Sequence, residues 1–247
     1  MEQAVVTPQD ISGLTDELAN ELRTNYGAYY LAMNPTYEYT YFQQELIAPV
    51  LERITIGDPQ FLRTIVPMPF RHSKTEECIE NFYPFWFGNH PGEHALLLTY
   101  NEKLARKSGR RIRDQMRTPL YEALFPESAL NPASKATTEF GTVSGSMFYA
   151  AGFKGTINGL GFGLLGIDDA HKNREEAMST VVMESIRDIY TSVIRTRLEP
   201  NAAIMIIGTR WTPGDLAGWR IDCDGAWDYL MNRPYEDVPK EAANAPG

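Results

Sequence analysis

Lys74 and Thr75 close the segment Met68-Pro-Phe-Arg-His-Ser-Lys-Thr, which follows the apolar run Phe61 to Val66 and opens a stretch of helical character. A turn between strand and helix can cradle phosphate oxygens. Backbone N–H groups at the helix start point at the anion, a lysine reaches the β/γ-phosphates, and a threonine hydroxyl binds Mg²⁺. The spacing fits the phosphate-loop pattern G-x-x-x-x-G-K-[ST] except for its glycines, which are replaced by Met68 and Ser73. Taken alone, the segment reads equally well as a solvated turn that contains Ser-Lys-Thr.

Asp168 and Asp169 end a second apolar run, Leu164 to Ile167. Carboxylates at the C-terminal edge of a buried sheet are where nucleotide-hydrolysing sites hold their metal and their base. Asp168 is the candidate Mg²⁺ holder, and Asp169 the group that orients or deprotonates an attacking water. The alternative is a pair of acids capping the next helix. A third apolar run, Ala202 to Ile207, leads into Gly208-Thr209-Arg210-Trp211.

Lys103, Arg106, Lys107, Arg110 and Arg111 recur at i, i+3, i+4, i+7 and i+8, so they share one helical face. Such a stripe suits nucleic-acid phosphates or an acidic protein surface, and it is also an ordinary solvated face. The formal charge of the whole chain is −9, which argues against a general nucleic-acid coat, so any DNA contact is expected from a local patch or from parts outside this chain.

These residues must be positioned by a fold, and the apolar pattern says which. Residues 9 to 33 and about 41 to 54 read as helices, the first stopped by Asn34-Pro35 and the second by Gly57-Asp58-Pro59. From there short apolar runs (Phe61 to Val66, Ala95 to Thr99, Leu164 to Ile167, Ala202 to Ile207) alternate with helical stretches at 74–88, 101–117 and 174–197. That alternation predicts an α/β fold with a mainly parallel central sheet flanked by helices. Residues 137 to 153 read as a hairpin that makes one sheet edge antiparallel. After Trp219 the sequence becomes rich in Pro, Asp and Gly and resembles a linker. The expected organisation is a helical lead-in at 1–57, a core at 58–220 and a linker-like tail at 221–247.

With 247 residues, 43% hydrophobic and 22% charged, the chain has the composition of one soluble globular domain. The N-terminus MEQAVVTPQD is polar and acidic, unlike a signal peptide, and no apolar stretch approaches the roughly 20 residues of a membrane span. Cys78 and Cys223 are too sparse for a disulfide framework or a metal site. A reduced, cytosolic protein is expected.

Three motifs together carry a family resemblance: FRHSKTE at 70–76, GIDDAHKN at 166–173 and GTRWTPGDLAG at 208–218. In order and content they resemble the phage large terminase subunits. These carry a Pro-Arg-His-Gly-Lys-Ser/Thr-like phosphate loop, an Ile-Asp-Asp-x-x-Lys-Asn acidic motif and a Thr-Arg-Trp-x-x-x-Asp-Leu-Ala-Gly coupling motif. The resemblance implies a P-loop NTPase of the ASCE/RecA-like type, the ATPase half of a DNA-packaging motor, with ATP and Mg²⁺ as its small molecules. It implies a nucleotide loop of Pro69, Phe70, Arg71, His72, Ser73, Lys74 and Thr75, with Arg71 and Lys74 on phosphate, Thr75 and Asp168 on metal, and Asp169 as the catalytic carboxylate. Thr209 would couple phosphate state to motion, and Gln43 or Gln44 would fall in an adenine-reading segment, where a solvated helix face is the equal alternative.

Two positions depart from the family. Ser73 stands for the loop's glycine, and its side chain is expected to restrict the backbone there. Leu160 falls where relatives often have Gly-Arg-Gly, so an arginine acting on a neighbouring subunit's γ-phosphate must come from elsewhere. Arg195, Arg197 and Arg210 are the candidates, each otherwise a surface or interface ion-pair residue. The implied partners are double-stranded phage DNA, a portal protein, the small terminase subunit and further copies of the chain in a ring, in the host cytoplasm and without a membrane. A nuclease domain would follow the tail. A helicase-like motor with the same strand-end chemistry, and a degenerate loop that acts only as a scaffold, are the competing readings.

Overall fold

The computed structural model describes residues 6–68, 73–134, 136–155, 157, 159–224 and 228–229. Helices α1 (Asp16–Thr24) and α2 (Tyr26–Met33) replace the single lead-in helix expected over 9–33. The break is local chemistry. Asn25 adopts an extended backbone, ends α1, and accepts the Ala28 N–H to cap α2 at 2.8 Å. A π-helical turn at Gln43–Ile47 runs into α3 (Ala48–Thr55), so the second expected helix begins and ends close to its sequence bounds.

Strand β1 (Arg63–Pro67) leads through the turn to a helix that starts at Lys74, passes through a π-helical stretch at Glu76–Asn81 and continues as α4 (Phe82–Asn89). Strand β2 (Ala95–Thr99) is followed by α5 (Glu102–Gln115), whose Asn101 cap accepts the Leu104 N–H at 2.9 Å, and by α6 (Pro119–Leu124). Gly109 on α5 has no room for a side chain. A Cβ there would meet the Thr137 carbonyl at 2.0 Å, which is how α5 lies so close to the strand that follows.

Strands β3 (Glu139–Gly141) and β4 (Met147–Gly152) form the expected antiparallel hairpin. Next come β5 (Phe162–Asp168), α7 (Arg174–Met178), α8 (Thr180–Ile189), β6 (Leu198–Gly208) and α9 (Leu216–Asp224). The helix expected over 174–197 is broken at Ser179, whose extended backbone and hydroxyl cap α8. Where a linker was expected from 221, α9 runs on to Asp224 and the two-residue strand β7 (Asp228–Tyr229) pairs in parallel with β1.

Among the described residues the seven strands lie in the order β3-β4-β2-β5-β6-β1-β7, all neighbours parallel except β3 and β4. The register pairs Thr99 with Asp168, Asp168 with Ile207, and Pro67 with Gly208, so these C-terminal strand ends share one sheet edge. Helices cover both faces. On one, α1 to α6 bury an aromatic core in which Tyr26 meets Phe82 and Phe85 edge-on at 5.9 and 5.3 Å. Each such pair adds about 0.5–1.5 kcal/mol beyond area burial, which fixes the lead-in helices firmly to α4. On the other face, Ile186, Tyr190 and Leu216 pack on the sheet. No helix among the described residues is long and apolar enough to cross a membrane.

Candidate functional site

The edge at the C-terminal ends of β1, β5 and β6 gathers five of the residues singled out in the sequence. Lys74 Nζ donates to Asp169 Oδ1 at 2.9 Å and to Thr209 Oγ1 at 3.3 Å. Thr75 Oγ1 donates to Asp168 Oδ2 at 2.8 Å. The Thr209 N–H reaches Asp169 Oδ1 at 3.4 Å, and its hydroxyl donates to the Met68 carbonyl at 3.4 Å. The three strand-end segments are thus stitched to one another by side chains as well as by the sheet.

Two backbones in this cluster are unusual. Ser73 has φ 53° and Asp169 φ 46°, and these are the non-glycine residues of positive φ among those described. Left-handed backbone costs a non-glycine residue about 1–2 kcal/mol, so both are held there by their surroundings. The expectation that the Ser73 side chain restricts the loop's backbone is met by a residue held at a costly left-handed φ. The serine takes the backbone conformation that the missing glycine would favour, and its Oγ is hydrogen-bonded to Tyr37 Oη.

The two aspartates differ in environment. Asp168 is wholly buried, and burial, reinforced by the charge of Asp169, pushes its carboxyl up to about 7 against the pull of the Thr75 hydroxyl and Lys74. Its Oδ1 is buried with no hydrogen-bond partner among the described residues. A buried, unsatisfied carboxylate oxygen beside a threonine hydroxyl is a hard-oxygen donor set that fits Mg²⁺, which takes one or two carboxylates and completes its shell with water and phosphate. Among the described residues no cluster of three or more His, Cys, Asp or Glu side chains could hold a metal unaided.

Below Lys74 and Thr75, Glu77 is fully buried and its carboxyl is raised to about 7 by desolvation, which the hydrogen bond from Tyr39 opposes. Tyr39 Oη donates to Glu77 Oε1 at 3.1 Å and Tyr26 Oη to the Glu77 carbonyl at 2.5 Å. Gln43 lies in this neighbourhood and is buried, not on a solvated face; its Oε1 accepts the Thr40 N–H and hydroxyl at 3.0 and 2.9 Å. Gln44 is exposed, with Nε2 on the Tyr39 carbonyl at 2.8 Å. Pro69, Phe70, Arg71 and His72 lie outside the described residues.

The loop after β6 is organised by Asp215, to which the sequence reading gave no role. Its buried carboxylate accepts the N–H groups of Trp211, Thr212 and Gly218 at 2.8, 3.1 and 2.9 Å and pairs with Arg210 Nε at 3.1 Å. Arg210 is thereby committed within its own chain. His171, another residue without an assigned role, is buried, and its Nε2 accepts the Leu216 N–H at 3.3 Å. An Asp directly before Leu216, where α9 begins, sits at an N-cap position that could have flagged Asp215 in advance.

Other sequence candidates lie elsewhere. Leu160 precedes β5, and Arg195 and Arg197 precede β6; the register pair Phe162 with Leu198 sets all three at the opposite sheet edge. Phe162 is six residues along β5 from Asp168, so at about 3.3 Å per residue that edge lies about 20 Å from Asp168 and Thr209. Arg195 is exposed, and Arg197 Nη1 donates to the Val193 carbonyl at 2.8 Å. The basic stripe on α5 is exposed throughout, but not uniformly available. Arg111 pairs with the buried Glu80 at 2.5 Å and Arg106 with Glu102 at 2.6 Å, while Lys103, Lys107 and Arg110 make no ion pair among the described residues.

The fold is similar to that of the large terminase of bacteriophage HK97, known from its crystal structure, with a TM-score of 0.51 and 15% sequence identity over 77% of this chain. The present chain spans 38% of that one, well under half its length. No protein-family model and no curated protein matches the sequence. At this identity the likeness is one of architecture: a terminase-like, mixed α/β fold with a mostly parallel sheet flanked by helices.

Proposed function

We propose that the chain is a P-loop ATPase domain of a phage large terminase, hydrolysing ATP to drive double-stranded DNA into a procapsid. The observation that carries this reading is the meeting of Lys74, Thr75, Asp168, Asp169 and Thr209 at one sheet edge from three separate strand ends. The terminase-like fold supports it, as does the order of the three motifs.

In this reading the β- and γ-phosphates of ATP lie over the start of the helix at Lys74, where the positive end of the helix dipole favours anions. Lys74 turns from Asp169 to the phosphates and stabilises the charge that builds on them during transfer. Asp169, released from its ion pair, accepts a proton from the attacking water and orients it in line with the γ-phosphorus. Thr75 and Asp168 are the residues that would hold Mg²⁺, whose contribution is to neutralise phosphate charge. Thr209 touches Lys74, Asp169 and the Met68 carbonyl, so it registers the exchange and passes it into the loop leading to α9.

Leu160 carries no charge, and Arg210 is engaged with Asp215. Arg195 or Arg197, whose sheet edge is remote from their own site, would supply a stimulating arginine across a subunit boundary in a ring assembled on a portal with the small subunit, and Arg71 is the candidate if it acts within the chain. Lys103, Lys107 and Arg110 are the part of the α5 stripe suited to DNA phosphates. Gln44 has its amide oxygen open for an adenine, whereas that of Gln43 is already used by Thr40.

Calorimetric titration tests the binding half of the proposal. ATP with Mg²⁺ should bind, and Asp168→Asn should remove the Mg²⁺ dependence while leaving weak Mg²⁺-independent binding. Failure of the wild-type protein to bind ATP under either condition would overturn the proposal.

A further inference from the structure

We propose that Tyr37 is a positioning residue for the phosphate loop: its hydroxyl holds Ser73 in the left-handed backbone conformation that glycine would adopt unaided, and so aims the Lys74 end of the helix. Serine has no intrinsic preference for φ 53°, where its Cβ crowds the backbone. A contact from outside the loop is placed to hold it. The serine side chain that creates the problem also supplies the handle, through the hydrogen bond between Ser73 Oγ and Tyr37 Oη.

Tyr37 can act as a fixed post because it is braced. Its ring meets Tyr30 edge-on at 5.5 Å, and Tyr30, wholly buried, stacks on Tyr39 at 4.9 Å. Tyr39 in turn reaches Glu77 Oε1, and Tyr26 holds the Glu77 carbonyl. The tyrosines of the N-terminal region therefore grip the chain on both sides of Lys74-Thr75, at Ser73 before and at Glu77 after. The Ser73 carbonyl accepts the Glu77 N–H at 2.9 Å, so a shift at Ser73 would be felt in the first helical turn. Serine and tyrosine act as a matched pair in place of one glycine.

The consequence for nucleotide rests on the phosphate-loop reading; the clamp itself does not. Two measurements on the full chain separate them. In hydrogen exchange without nucleotide, Tyr37→Phe should speed exchange at residues 74–77 while α5 and the sheet are unchanged, and Ser73→Gly with Tyr37→Phe should slow it again. In MgATP titrations, Tyr37→Phe should weaken affinity about 10-fold, equivalent to ~1.4 kcal/mol, with kcat at saturation little changed. The same change made in the Ser73→Gly background should alter affinity less than about 2-fold. Equal effects of Tyr37→Phe in both backgrounds, or unchanged exchange at 74–77, would overturn the clamp. Absence of ATP binding with the exchange pattern intact would instead overturn the function and leave the clamp standing.

Discussion

Lys74 Nζ and Asp169 Oδ1 lie 2.9 Å apart, so the cation and the carboxylate to which the proposed mechanism gives the phosphate and the proton neutralise each other. A carboxylate engaged with an ammonium is a poor proton acceptor, and an ammonium engaged with a carboxylate contributes little to binding an anion. In the proposed mechanism, phosphate would draw Lys74 away from Asp169. Thr209, which contacts both partners, is the third member.

Replacing Thr209 by Val keeps its shape and removes its hydroxyl contacts to Lys74 and the Met68 carbonyl. Turnover should fall by roughly 10-fold, the worth of one or two hydrogen bonds near charge, with ATP affinity within about 2-fold of wild type. Steady-state phosphate release alongside calorimetry checks this, and a loss confined to affinity would contradict it.

Arg210→Ala strips the charged partner from a carboxylate that still receives three backbone N–H groups. It should cost about 1–3 kcal/mol in chemical denaturation, less than a fully buried pair because Arg210 is partly exposed. Because Arg210 acts within its own chain, mixing Arg210→Ala subunits with Lys74→Ala subunits should not restore turnover. The same mixing should restore it for Arg197→Ala or Arg195→Ala, whichever reaches the neighbouring site.

His171 is held neutral by burial, which lowers its pKa, while Asp215 and Glu176 pull it upward and Arg187 pulls it down. Neutral, it accepts the Leu216 N–H; protonated, it cannot. With the folded pKa below the unfolded one near 6.5, its contribution is complete above that value and lost as pH falls through the lowered one. His171→Gln keeps an acceptor without a titration. Melting temperatures measured from pH 7.5 to 5 should fall more steeply for wild type than for the variant; parallel curves would show that His171 is not the group responsible.

Much of this architecture was legible in the sequence because the chemistry sits at the ends of apolar runs. Ala95 to Thr99 stands as read, and the C-terminal ends of the other strands fall within a residue or so of theirs. What hydrophobic patterning could not see is polar strand: β6 starts at Leu198 and takes in the exposed Glu199, Pro200 and Asn201, which pattern alone assigns to a loop. The helix breaks at Asn25 and Ser179 turn on single capping side chains inside continuous helical periodicity. In the site, Lys74, Thr75, Asp168, Asp169 and Thr209 came together as their strand ends implied, whereas Tyr37 was invisible because nothing local in YEYT signals a hydrogen bond to Ser73. The same limit hid Asp215 and His171, which act through backbone N–H groups that only the folded loop presents to them.

The measurement that bears most directly on the whole account is single-turnover phosphate release from MgATP by the wild-type chain, Lys74→Ala and Asp169→Asn, at ATP concentrations that saturate wild-type binding. The account predicts slow but measurable release by wild type alone. It predicts at least ~10²-fold slower release by either variant, with Asp169→Asn still binding ATP because the amide keeps the shape and loses the base. Wild-type rates in Lys74→Ala, or loss of binding in Asp169→Asn, would contradict the exchange of Lys74 between carboxylate and phosphate on which the mechanism depends.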